Sequence, residues 1–232
     1  MFDRYEILPI PGFSDPFSSI THLVAAAVFF ALGVVLVLRG KGSVNRQIML
    51  GLFVFSVVFL LSMSGVYHLL APGGTARDIL QRMDHAGIFF LIAGSFTPVH
   101  GVLFRGWRRW GILSLVWAIA ICGIVFKSIY FHEMSEWLGL SIYLLMGWIG
   151  ALTGLLLYRR YGFQFIKLLI YGALAYTLGA VLEFLRYPII VPGVVGPHEL
   201  FHVAVLFGIG YHWAFINKFS DGITPPSKLS HA

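Results

Sequence analysis

Seven stretches of near-continuous apolar residues, at about 17–38, 47–70, 83–104, 110–130, 137–158, 165–185 and 198–217, occupy most of the chain. Each is long enough, at roughly 20 residues, to cross about 30 Å of hydrocarbon as a helix. The runs do not alternate apolar and polar positions as the strands of a membrane barrel do, so helices are expected. Short segments rich in Gly, Pro or basic residues separate several of them, at 39–43, 71–75, 105–109 and 192–197. Connections this short make consecutive helices antiparallel neighbours. The expected architecture is all-α, a seven-transmembrane helix bundle at 17–217. It follows an N-terminal segment at 1–16 and precedes a C-terminal tail at 218–232, whose last dozen residues, from Asp221 through Pro225 and Pro226, read as disordered.

Composition moves the chain firmly out of the water-soluble class, with 58% hydrophobic and 11% charged residues and a mean hydropathy of +0.84. The net charge of +6 does not point to nucleic acid, because the cations sit in short clusters between apolar runs. Arg39, Lys41, Arg46, Arg105, Arg108, Arg109, Arg159, Arg160 and Lys167 follow the first, third and fifth runs, and Lys218 and Lys228 join them from the tail. The opposite face carries Arg4, Arg77, Arg82, Lys127 and Arg186. The positive-inside rule then puts the N-terminus outside and the C-terminus in the cytoplasm. The lone Cys122 excludes an intrachain disulfide and a thiolate-rich metal site. An acidic start followed by Pro9 and Pro11 lacks the basic opening of a cleaved signal, so the first run is expected to stay in the mature protein.

Ionisable side chains in hydrocarbon cost from about 2.5 kcal/mol upward, so those that persist usually face the bundle interior and have a partner. Antiparallel threading brings the end of the second run and the starts of the third and seventh to one membrane surface. On those three ends stand Ser64 and His68, Asp84 and His85, and His198, Glu199 and His202. Residues four apart lie on one side of a helix, about one turn along its axis. The spacing of His198 and His202 alone is as compatible with packing or interhelical hydrogen bonding as with ligation, and that of Ser64 and His68 alone points more to packing. Their joint placement beside an intramembrane Asp favours a metal. Three converging imidazoles and a carboxylate suit catalytic zinc, which takes three protein ligands, keeps a position open and lowers the pKa of its water to about 7.

In that reading His68, His198 and His202 hold zinc, Asp84 acts as general base, and Ser64 hydrogen-bonds the water, Asp84 or a developing oxyanion. His22, at the start of the first run, and His85, beside Asp84, are candidates for a supporting layer around the ligands. His212 lies too deep for the site and reads as a packing residue, while His100, His132 and His231 read as interfacial or solvated. Glu183 and Arg186 suit an i,i+3 pair. Glu199 suits the first turn of a helix opened by Pro197.

Four segments taken together carry a family resemblance: Ser19–His22, Ser64–His68, Arg82–Pro98 and Pro197–His202. In order and register they closely resemble the hemolysin III family. This is the bacterial branch of the group containing the progestin and adipoQ receptors, itself related to alkaline ceramidases. The resemblance spans essentially all seven runs. It implies zinc held by His68, His198 and His202, with a water contacted by Asp84 and Ser64, in a multi-pass protein of the bacterial inner (cell) membrane. It also implies a link to membrane-lipid or fluidity homeostasis. Ceramidases of this group hydrolyse a lipid amide. This chain departs from the family in having Asp15 and Ser18 where Glu and Asn are common, and its charge-derived orientation is opposite to that of the receptor branch.

The expectation is therefore a zinc-dependent membrane hydrolase cleaving an amide or ester in a lipid. Its partners would be membrane lipids, not nucleic acid, and its oligomeric state is open. The rivals are a membrane-lytic hemolysin and a receptor or sensor of membrane state that binds without turnover.

Overall fold

The computed structural model describes residues 7–226, so the readings for residues 1–6, Lys228 and His231 lie outside it. The chain forms α1 (Pro16–Arg39), α2 (Val44–Leu69), α3 (Thr75–Leu103), α4 (Trp107–Ile129), α5 (Glu136–Trp148), α6 (Gly150–Tyr161), α7 (Phe163–Leu185) and α8 (Pro197–Asn217). Among the described residues seven spans are long and apolar enough to cross a membrane, α5 and α6 together forming the fifth. Among the described residues there is no β-strand beyond two isolated bridges. Large apolar side chains such as Phe30, Leu115, Leu178 and Phe207 stay exposed on the outer surface, as a lipid-facing bundle requires.

Three boundaries differ from the hydrophobic pattern. α3 starts at Thr75, eight residues before the apolar run at 83, because a polar stretch extends the helix into the interface. Within that stretch Asp78 favours the positive helix N-terminus and Arg82 pairs with it at 3.3 Å, one turn on. Hydropathy registers where a helix meets hydrocarbon, not where its backbone begins. The fifth run breaks at Ile149, where Gly147 and Gly150 weaken the helix on either side. The bundle also continues past 217. Phe219 and Ser220 are fully buried, and the Lys218 ammonium donates to the carbonyls of Gln164 (3.3 Å) and Phe165 (3.1 Å).

Close helix approach rests on small residues, as is usual where lipid supplies no hydrophobic drive between helices. On α3, Gly87, Gly94 and Gly101 recur every seven residues along one face and receive Leu60, Ser56 and Met49 of α2. α7 and α8 interlock in the same way: His212 fills the notch at Gly172, and Tyr176 the notch at Gly208. Leu36, Leu50, Phe53, Leu61, Ile209 and Ile216 fill the core between these helices.

The residues before α1 strap this layer at the end where α2 finishes and α8 starts. Leu8 N–H donates to Gly193 O at 2.8 Å, Ser14 N–H to Leu69 O at 3.2 Å and Asp15 N–H to His68 O at 2.9 Å.

Candidate metal centre

α8 opens with Pro197 at its first position, and Glu199 in its first turn accepts the Gly196 N–H at 2.9 Å. Ser18 of α1 donates to the other oxygen of Glu199 at 3.2 Å. Glu199 thus fixes the start of α8 against α1, and His198 and His202 reach the end of α2. There they meet His68, in the last turn of α2. His198 Nε2 lies 3.3 Å from His68 Nε2 and 3.1 Å from His202 Nε2, and the three ligand atoms all lie within 4.8 Å of one another. His68 and His202 are buried, at 3% and 2% exposure, whereas the His198 side chain is 37% exposed and forms the open side. This group can hold a metal ion.

Two of the three rings are gripped from behind. His68 Nδ1 lies 2.8 Å from Asp15 Oδ2, and the same oxygen accepts from Arg77 at 3.1 Å. Burial raises the Asp15 carboxyl, but the hydrogen bond and charge of His68, followed by Arg77, outweigh it and hold the group below the ordinary carboxylate range. His198 Nδ1 faces Glu183 Oε1 at 3.4 Å, and Arg186 donates to that oxygen at 2.6 Å. Arg186 also pairs with Glu136 of α5. It stands at the C-cap of α7 with φ 54°, a left-handed position where glycine is usual, so here the side chain matters enough to outweigh the backbone preference. His202 has no such partner. Its Nδ1 is buried without a hydrogen bond, and its ring stacks on His22 at 4.0 Å between centroids.

The other residues singled out in the sequence distribute around this triad. Ser64, 1% exposed, lies one turn before His68, and the electrostatic partners of the Asp84 carboxylate include Ser64 and His198. His85 is not one of the converging imidazoles; its ring stands edge-on to Phe131 at 5.1 Å and its carbonyl accepts from Tyr143 at 3.1 Å. His100 corrects the solvated reading. It is fully buried, with Nδ1 2.7 Å from Arg108 O and Nε2 2.9 Å from Thr153 Oγ1, because those groups on α4 and α6 satisfy both ring nitrogens. His132 is exposed and next to Asp78. The sequence reading missed Asp15 and Glu183 as partners of the ligands, although the pairing of Glu183 with Arg186 signalled a buried carboxylate near that surface.

Directly below the triad lies an apolar cavity of about 540 Å³, bounded by α2, α3, α5, α6, α7 and α8. Leu60 lies one turn from Ser64, Ile88 one turn from Asp84 and Val205 about one turn from His202, so the cavity begins roughly 6 Å along the helices from the polar cluster. Its far side includes Trp148, Leu155 and Leu174, all exposed on the lipid-facing surface. The volume falls within the range of small-molecule sites.

Residues 13–213 match the protein family described as Haemolysin-III related. The chain is 30% identical over 166 residues to the hemolysin-3 homolog of Bacillus subtilis (strain 168), which covers 71% of this chain and 77% of that protein. It is 27% identical over 166 residues to hemolysin-3 of Bacillus cereus, covering 71% and 75%. A more distant similarity, 25% identity over 246 aligned positions, relates 90% of the chain to 55% of progestin and adipoQ receptor-like protein 1 of Caenorhabditis elegans.

Proposed function

This chain belongs to the haemolysin-III-related family, and from that premise we propose that it is a zinc-dependent hydrolase of the membrane that cleaves an amide or ester bond in a lipid. One observation carries the metal. An ionised carboxylate can only accept a hydrogen bond, so the carboxylates behind His68 and His198 keep the ring proton on Nδ1 and leave Nε2 as a lone pair. With both rings neutral, two lone pairs facing each other at 3.3 Å repel unless a cation, a metal ion or a shared proton, lies between them. Tetrahedral zinc with bonds of about 2.0–2.1 Å sets ligand nitrogens about 3.3 Å apart, close to the 3.3 Å and 3.1 Å that separate His198 Nε2 from His68 Nε2 and His202 Nε2.

When bound, zinc supplies Lewis acidity towards a carbonyl and activates water at neutral pH. The remaining work falls to side chains of this chain. Asp84 takes the proton of the attacking water as general base, and Ser64 donates a hydrogen bond to Asp84 or to the developing oxyanion. The apolar cavity accepts the acyl chain from the lipid-facing side and leaves the scissile carbonyl next to the polar cluster. The exposed edge of His198 is the side from which water arrives.

The test has two arms. Purified protein should contain close to one zinc per chain by elemental analysis, and His202→Ala should lose most of it; equal zinc in the variant would remove the metal reading. Lipid profiles of membranes treated with the protein should then change in a manner abolished by chelator and by Asp84→Asn. A profile indifferent to both would leave a protein that binds lipid without turnover. Dye release from liposomes that persists in His202→Ala would favour a lytic protein.

A further inference from the structure

Lys127 lies in the last turn of α4, at the same membrane face as the triad, where a lysine normally extends its ammonium outward to water. Here the residue is only 4% exposed. Its stem turns inward, with Nζ 4.9 Å from the centre of the Phe131 ring. The absence of a side chain at Gly139 of α5 leaves room for it. A Cβ built there would sit 3.7 Å from Nζ, with Tyr143 and Met134 as its other neighbours.

Among the described residues no carboxylate or other acceptor lies within hydrogen-bonding reach of this ammonium. Glu136, the carboxylate whose charge reaches it through space, is 70% exposed and already paired with Arg186. Arg82, stacked on Phe131 at 5.2 Å, is satisfied by Asp78, Ser128 O and His132. Two cations therefore share one aromatic ring, and only one has its hydrogen bonds filled. A cation–π contact offsets only part of what burying an ion costs. The ammonium keeps some accessible surface and has room for an anion as its partner.

Tyr143 and Leu140, beside Gly139, also line the apolar cavity, so the seat opens onto a space suited to a chain. We propose that Lys127, Phe131 and Gly139 form a binding site for the anionic oxygens of a membrane amphiphile, separate from the metal centre and occupied without turnover. The shared chemistry is an anionic phosphate or carboxylate on an acyl-bearing molecule, either a phospholipid headgroup or a fatty acid.

The test uses the full chain, delipidated in detergent and titrated by native mass spectrometry with phosphatidylglycerol, oleate and phosphatidylcholine. Lys127→Met should weaken the anionic ligand by about tenfold, the loss expected when a charge-assisted hydrogen bond goes. Lys127→Arg should retain the affinity, and phosphatidylcholine binding should not respond to either variant. Dependence on Lys127 for phosphatidylglycerol alone identifies the headgroup, and for oleate alone the carboxylate. Gly139→Val leaves the lysine but fills its seat, and should reproduce the loss even if Lys127→Met fails to fold. Zinc content stays at the wild-type level throughout, which separates this site from the triad. Equal affinity of wild type and Gly139→Val for both anionic ligands would overturn the proposal.

Discussion

At the scale of single residues, the ligands and their supports were unequally legible. His68, His198 and His202 emerge from two four-residue spacings and the arithmetic of antiparallel spans, because that pattern depends only on helix geometry. Asp15 and Glu183 do not. Asp15 lies just outside the first span and meets a histidine 53 positions away, a contact that exists only once the segment before α1 is strapped across the end of α2. Read as sequence it is merely a departure from the family's usual Glu, yet its carboxylate lies against His68, a candidate ligand. Supporting carboxylates of this kind typically change metal affinity by about 10–100-fold when altered. Asp15→Asn and Glu183→Gln should each weaken zinc binding by about that factor in competition with a chelating indicator, while circular dichroism stays unchanged. Wild-type affinity in both variants would reduce the two carboxylates to packing partners.

At the scale of elements, the apolar runs locate spans well and their ends poorly, since hydrocarbon contact and helical backbone obey different limits. α3 shows both effects, with its start hidden in a polar turn and its packing face hidden among apolar residues. Its glycines at 87, 94 and 101 are spaced by seven, so they stack along one stripe against α2, and this stripe sets the depth at which Asp84 faces Ser64 and His198. A Cβ at Gly94 would meet the Ser56 side chain, whose hydroxyl is itself committed to Phe53 O at 2.7 Å. Gly94→Val should therefore push α3 away from α2. The expected cost of such overpacking is about 1–3 kcal/mol, seen as a lower apparent Tm in a fluorescence-detected thermal scan. Because the shift moves Asp84 with its helix, zinc content should fall less than any lipid-directed activity. An unchanged Tm would mean that the stripe tolerates a side chain and does not set helix spacing.

The whole molecule joins a polar cluster at one membrane face to an apolar cavity in the bundle, and the cavity was invisible in the sequence. Nothing in a run of Leu, Ile and Gly distinguishes a filled core from an empty one; only the joint course of six helices does. The break at Ile149 contributes, since it divides the fifth span into two helices that both border the space. Gly154 of α6 lines the cavity and has nothing within 4 Å of where a Cβ would stand. A side chain there enters open space and replaces a poor helix former with a good one. Gly154→Leu should thus leave thermal stability unchanged or raise it, by up to about 1 kcal/mol from helix propensity alone. It should also leave zinc at one per chain, since the triad is untouched. What it should remove is room for an acyl chain. Co-purified lipid, measured after organic extraction, should drop in this variant, and chelator-sensitive changes in the lipid profile should drop with it. Full lipid occupancy in a stable Gly154→Leu protein would mean that the chain lies elsewhere on the bundle, and the link between cavity and metal centre would have to be abandoned.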